Sequence, residues 1–269
     1  MSTAGAQTAA GPAEGWSIGD YAEVCDRMIP ELGAQLVERA GLAAGHDVLD
    51  VAAGTGNAAL PAAATGALVT ALDITPALLE AGAKRASATG LAVTWVHGDA
   101  HALPFADRAF DRVLSCVGVQ FCSDQRAAAA ELIRVCRPGG RIALTSWTPE
   151  GFIGRVIAAI AKATGADPSR PSPLVWGRED GVIELLGDHT HGASFERAHV
   201  EMPAASAVGW VDFMAQAYGP MVRARAALET RHVWEPLRDQ LIEIAAAHDT
   251  GGNEAFAARA EYLNALLER

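Results

Sequence analysis

The sequence is short of positive charge: 21 Lys and Arg stand against 32 Asp and Glu in 269 residues, a formal net charge of −11. Phosphate backbones and anionic bilayers both select basic surfaces, so nucleic acid and membrane are not expected partners. No stretch of about 18 uninterrupted apolar residues occurs, so no membrane span is expected. The four cysteines, Cys25, Cys116, Cys122 and Cys136, form no CxxC pair, and no His cluster has metal-ligand spacing. Neither a disulfide framework nor a bound metal is expected, and buried free thiols suit a reducing cytoplasm. Met1 to Gly15 lacks the basic start and apolar run of a signal peptide and reads as a disordered lead-in. No internal repeat is visible.

Half the residues are hydrophobic, enough to bury a substantial core. Apolar residues at Tyr21, Val24, Met28, Leu32, Leu36 and Val37 have helical spacing, interrupted at Pro30 and ended at Gly41. From His46 the pattern alternates. Strands are predicted over 46–52, 67–74, 92–97, 110–119 and 141–147, with helices between them and a turn at Arg137 to Gly140. Strand–helix alternation argues a parallel sheet with right-handed crossovers. Beyond Thr148 the signals loosen. Helices are predicted over 151–164, 179–186, 210–217 and 221–248, with a strand over 193–202. By local propensity, the Ala-, Leu- and Glu-rich tail from Glu254 reads as helix.

The residues that carry chemistry lie at the carboxyl ends of the predicted strands. In DVAAGTGN, Asp50 to Asn57, Gly54 and Gly56 allow a tight turn and a close approach of ligand to backbone. The helix that follows aims unpaired N–H groups at that ligand. Asp73 closes the second strand 17 residues after Gly56 and can accept both hydroxyls of an adenosine ribose. Asp99, in HGDAHALPF, can accept from an adenine amino group, with the Ala100 N–H meeting a ring nitrogen and Ile74 packing on the purine. Each of these residues also has an ordinary turn or capping role. Together they point to an adenosine-containing ligand.

The ordered set VLDVAAGTGN, ALDITPALLEAGAKRA, VHGDAHALPFADRAFDRVLS and ELIRVCRPGGRIALTSW resembles the class I S-adenosylmethionine-dependent methyltransferases. Within them it is similar to the ubiquinone/menaquinone-biosynthesis-type branch, which includes many small-molecule enzymes of bacterial secondary metabolism. The resemblance implies an α/β, Rossmann-like, seven-stranded sheet ordered 3-2-1-4-5-7-6, with helices on both faces and a small helical cap. It thereby makes Ala258 to Leu267 an antiparallel last strand, against the helical propensity of that stretch. It implies S-adenosyl-L-methionine as cofactor. Asp50 and Gly54 to Asn57 would hold the methionine part, Asp73 and Ile74 the ribose and adenine edge, and Asp99 and Ala100 the adenine. Ser115 to Val117 would lie near the methyl donor, with Trp16 and Tyr21 closing over it. One departure is that Ala52 and Ala53 stand where such families often have a first Gly.

The implied division is a lead-in (1–15), N-terminal helices closing over the cofactor (16–45), the cofactor-binding core (46–150), a substrate cap with late core elements (151–235), and a C-terminal helix and last strand (236–269). Phe152, Trp176, Trp210, Phe213, Met214 and Tyr218 are candidates for an apolar cap over a small-molecule acceptor. A monomer or homodimer is expected. Gln120, just past the fourth strand, is a candidate for orienting the acceptor, and His191, in DHTHG, for a base. His101, His189 and His232 are further base candidates. Two alternatives share part of the pattern: an NAD-dependent oxidoreductase, and a protein that binds S-adenosylmethionine without transferring methyl. The oxidoreductase gives no reason for Asp99 and needs a third glycine where Ala59 stands. A nucleic-acid methyltransferase would carry an Asn/Asp-Pro-Pro-aromatic motif where SCVGVQF stands.

Overall fold

The computed structural model describes residues 15–167, 171–252 and 255–269. Apart from Gly15, the expected lead-in lies outside the described residues. The strands are β1 (Asp47–Val51), β2 (Leu68–Asp73), β3 (Val93–His97), β4 (Phe110–Cys116), β5 (Cys136–Trp147), β6 (Gly192–Ala204) and β7 (Phe256–Glu268). They form one seven-stranded sheet in the order β3-β2-β1-β4-β5-β7-β6. Strands β1 to β5 pair in parallel, and β7 runs antiparallel to both β5 and β6. The sheet order is the expected one.

Ten α-helices accompany the sheet among the described residues. They are α1 (Tyr21–Met28), α2 (Leu32–Ala40), α3 (Ala59–Ala64), α4 (Pro76–Thr89), α5 (Gln125–Val135), α6 (Phe152–Thr164), α7 (Glu179–Leu186), α8 (Ala207–Ala217), α9 (Gly219–Glu229) and α10 (Trp234–Ala247). Their starts follow from capping. The Asp20 carboxylate accepts from the Glu23 N–H at 3.0 Å, and that of Asp124 from the Ala127 N–H at 2.9 Å. Pro30 separates α1 from α2, and Gly41 ends α2 with a left-handed φ of 62°.

Period-two alternation splits the central strands between two apolar layers. Leu49 and Val51 pack on one face with Leu72, Val113 and Leu132. Val48 packs on the other with Leu36, Val69 and Leu114. A third cluster joins α1, α6 and α8 to α10 around Phe152, Trp210 and Met214. It packs against the β5, β7 and β6 side of the sheet through Trp147, Tyr262 and Met202.

Three elements differ from local expectation. The tail is strand, not helix, because β7 lies between β5 and β6 and its backbone finds ladder partners on both sides. That tertiary pairing outweighs helical propensity. β5 begins at Cys136, before the predicted turn. Cys136 pairs with Phe110, and the register shifts before Arg112 meets Arg141. Arg137 stays at that edge, paired to Asp47 and Asp111 at 2.7 Å each. The long helix predicted over 221–248 is broken into α9 and α10, with His232 in the left-handed region at φ 55°.

Helix α2 backs directly onto the glycine turn. A Cβ added at Gly33 would sit 1.7 Å from the Asn57 carbonyl oxygen. Gly33→Ala is expected to destabilise the fold by roughly 1–3 kcal/mol through overpacking. The check is the urea midpoint, and an unchanged midpoint would refute this packing.

Candidate functional site

The turn after β1 is built from left-handed backbone. Ala52, Gly54 and Gly56 have φ of 54°, 55° and 87°. Ala52 stands at the departure noted in the sequence, and the turn forms nonetheless, although the left-handed region costs a non-glycine residue roughly 1–2 kcal/mol. At Gly54 an added Cβ would meet the Tyr21 ring at 3.4 Å. The Gly54 N–H donates to Asp73 Oδ2 at 2.8 Å, and the Thr75 N–H donates to Asp73 Oδ1 at 2.8 Å. One carboxylate therefore joins the turn after β1 to the turn after β2. Arg85 holds the turn from behind: its guanidinium bonds Thr55 O at 3.1 Å, Thr55 Oγ1 at 3.0 Å and Asp26 Oδ1 on α1 at 2.7 Å.

A cavity of about 160 Å³ opens at these strand ends. Asp73 and Ile74 line one part, and Asp99, Ala100 and His101 another. Trp16 and Tyr21 lie against it from the N-terminal side, with Gly54, Val117, Gly118 and Phe121 also in its wall. His101 Nδ1 lies 2.6 Å from Asp99 Oδ1, and its Nε2 accepts the Asp124 N–H at 3.1 Å. A neutral ring that accepts at Nε2 carries its proton on Nδ1, so His101 donates to Asp99. The His101 N–H also donates to Asp99 Oδ1, at 2.9 Å. Both bonds fall on Oδ1, which leaves Oδ2 able to accept from a ligand amino group.

The electrostatics favour a cationic, hydroxyl-bearing ligand. Asp50 is buried at the end of β1, and neither of its oxygens has a partner within hydrogen-bond geometry. Burial pushes its pKa up to about 8, opposed by the Ala59 N–H, which is turned towards it without closing a hydrogen bond of good geometry, and reinforced by Asp73. Burial also raises Asp73, while the N–H groups of Gly54 and Thr75 pull it back. An unpartnered buried carboxyl is costly unless a cation or a donor reaches it. Asp73 lines the cavity, where its oxygens suit ribose hydroxyls, whereas Asp50, expected at the methionine part, lies behind the wall and can favour a cation there only through its charge.

Of the residues singled out in the sequence, the cavity brings together Trp16, Tyr21, Gly54, Asp73, Ile74, Asp99, Ala100 and Val117. Gly56, Asn57 and Ser115 stand behind its wall. An added Cβ at Gly56 would meet Trp95 at 2.8 Å. Ser115 Oγ donates to Val51 O at 2.8 Å and accepts the Val119 N–H at 3.0 Å, so it clamps β1 to the loop after β4. Val117 in that loop has φ 54°, a strained conformation for a β-branched residue. Gln120 is fully buried, with Oε1 accepting the Trp147 N–H at 2.9 Å, and lines neither this cavity nor the next.

His191 falls at the wrong end of the sheet. Its N–H donates to Glu268 O at 2.8 Å, and Glu268 pairs with Arg141 near the start of β5. The cavity lies past the opposite end of the parallel strands. His189, two residues before it, and His232, in the α9–α10 break, likewise lie outside the cavity wall. Sequence reasoning missed Gly118 and Phe121, although VGVQF directly follows β4. A Cβ at Gly118 would meet Ala52 O at 2.7 Å, so a glycine there lets two strand-end loops touch.

A second cavity, of about 40 Å³, abuts the first. Tyr21, Val117 and Phe121 line both. The rest of its wall is apolar and comes from α1, α6, α8, α9 and the ends of β5 and β6. Trp210, Met214 and Tyr218 lie in it, as expected for the cap, joined by Trp147 at the end of β5. Phe152 instead packs on Trp210 at 4.6 Å, Trp176 is buried in the core, and Phe213 lies under the Arg27 guanidinium at 4.0 Å. Met28, Met202, Met214 and Met221, all the methionines after Met1, line this one cavity. Methionine is flexible and polarisable, so such a wall adapts to its occupant. At the junction, Trp16 meets Phe121, Tyr21 and Tyr218 at 5.1, 5.4 and 5.7 Å between ring centres.

Residues 49–144 match the family model described as a methyltransferase domain. An uncharacterized protein of Mycobacterium tuberculosis is 43% identical over 240 residues, covering 88% of each chain. The demethylmenaquinone methyltransferase of Renibacterium salmoninarum is 32% identical over 168 residues, 57% of this chain and 69% of that one. Among solved structures, the YcgJ protein from Bacillus subtilis shares the fold with a TM-score of 0.60 at 19% identity, over 89% of this chain and 98% of that one. No described helix is long and apolar enough to cross a membrane. The domain match, these relatives and the sheet order agree, and the oxidoreductase alternative falls away: the chain belongs to the class I S-adenosylmethionine-dependent methyltransferases.

Proposed function

We propose that the first cavity holds S-adenosylmethionine and that the second holds a small, largely apolar acceptor, a metabolite of bacterial secondary metabolism. The observation that carries this reading is that the two cavities meet at Tyr21, Val117 and Phe121. In the donor cavity Asp73 accepts the ribose hydroxyls, for which its oxygens keep lone pairs beyond those used by Gly54 and Thr75. Asp99 Oδ2 accepts from the adenine amino group, with Oδ1 held by His101, and Ile74 packs on the purine. Asp50 stands behind the glycine turn, outside the cavity wall, and acts on the cationic methionine end through its charge alone.

The bound cofactor supplies an activated sulfonium methyl. The protein's part is then to align the acceptor and exclude water. Tyr21 and Trp16 steady the cation through their ring faces, a contribution of roughly 0.5–2 kcal/mol. Val117, held in its strained loop by Ser115, forms the narrow boundary between the two chambers. Gln120 acts one step back, by fixing the backbone of Trp147 in the acceptor wall. The methionine- and aromatic-rich lining selects against polymers and strongly hydrated acceptors.

Asp73→Ala is expected to weaken S-adenosylmethionine binding by about 1.5–3 kcal/mol, since charged hydrogen bonds are lost. Calorimetric titration checks this, and an unchanged Kd removes Asp73 from the donor site. Asp50 attracts a cation across the cavity wall only when ionised, so cofactor affinity is expected to rise as pH increases through about 8. In Asp50→Asn that rise should flatten. The same raised pKa means the free protein loses stability as pH climbs from 3.8 towards about 8, because the folded state holds its proton more tightly than the unfolded one. Ile157 lines only the second cavity. Ile157→Phe is therefore expected to raise the acceptor KM about tenfold or more while leaving cofactor Kd unchanged, a 1.4 kcal/mol effect confined to one chamber. Equal damage to both constants would contradict the two-chamber reading.

A further inference from the structure

We infer that the acceptor is an apolar acid whose conjugate base is the nucleophile: a phenol, thiol or carbon acid that sheds its proton to water before docking. This rests on the two-chamber reading above and deepens it. The acceptor chamber has sixteen wall residues, of which Tyr21 and Tyr218 are the ionisable ones. Burial raises both phenols, Tyr21 further through Cys25, Tyr218 and Cys116. The nearby thiols are equally unsuited as bases. Burial pushes Cys25 up to about 12 and raises Cys116 well above its ordinary value. On the sheet side, Asp50 lines neither chamber. His101 is committed to Asp99 and Asp124 in the adenine part of the donor cavity. The groups around the acceptor can thus donate hydrogen bonds to an anion, but none is placed to take a proton from a neutral one.

Charge bookkeeping selects the same acceptor. If a neutral amine were methylated, the product cation would be created deep among Met, Ile and Trp side chains, with no carboxylate in the wall to meet it. If the nucleophile is an anion, the acceptor atom gains the methyl while the methyl–sulfur bond breaks with its electron pair left on sulfur. A cation and an anion become two neutral molecules, and no proton moves in the step. A poorly polar chamber strengthens the attraction that assembles this pair and favours a transition state in which both charges are shrinking.

The test uses 4-nitrophenol, whose anion has a visible absorption band that its neutral form lacks. It is titrated into the full-length protein loaded with sinefungin, which carries an ammonium where the sulfonium stands, or with S-adenosylhomocysteine, whose sulfur is neutral. Nitrobenzene serves as the uncharged control. The expected result is that 4-nitrophenol binds the sinefungin complex as the anion, its apparent pKa falling below that in water. Its affinity for the S-adenosylhomocysteine complex should be about tenfold weaker or less, with no fall in pKa. Binding as the neutral phenol in both complexes, or binding of nitrobenzene alone, would overturn the inference and leave the chamber assignment intact. Failure of both probes to bind either complex, or binding unaltered in Ile157→Phe, would overturn the chamber assignment and the inference with it.

Discussion

The arrangement depends on one buried carboxylate held between two loops. Asp73 takes the Gly54 N–H on one oxygen and the Thr75 N–H on the other. Among the described residues that bridge is the one side chain that bonds both turns, reinforced by the Ala53 N–H on Leu72 O at 3.0 Å and by Arg85 on Thr55, and it stands in the cavity wall. Burial works against the charge of Asp73, and the two N–H groups offset part of that penalty. The acid is thus pre-oriented while its outward lone pairs stay available. Asp99 repeats the device one strand further out, with His101 fixing one oxygen and leaving the other.

How much could be read from the sequence follows from how local each feature is. The glycine turn, Asp73, Asp99 and the breaks at Pro30 and Gly41 were legible because each depends on a few consecutive residues at a strand or helix end. The tail was not legible by propensity. Its Ala-, Leu- and Glu-rich stretch becomes strand only because β5 and β6 offer it backbone partners from more than 50 residues away. The resemblance supplied what local patterning lacked.

Side-chain direction was the harder matter. Gln120 lies one turn past β4, next to the cavity in sequence, yet its amide turns inward to Trp147. His191 looked available on a polar loop, but β6–β7 registration carries it to the far end of the sheet. Neither fact is encoded near the residue itself. Of the aromatics expected in the cap, Trp210 and Tyr218 reach the second cavity, whereas Trp176 and Phe152 close the core. Helical spacing identifies a buried face without saying whether a void lies beneath it.

Both chambers have part of their wall on α1, through Tyr21, and α1 is tied to the glycine turn by Arg85 and Asp26. That tie is an ion pair with its acid side chain 59% in solvent, a bond type whose usual worth is about 0–1 kcal/mol. What keeps the helix in place is instead its apolar face, with Val24, Cys25 and Met28 buried in the third core cluster. Because one ring on that helix walls both compartments, a substitution that re-seats the helix in the core would reshape the donor and acceptor spaces together.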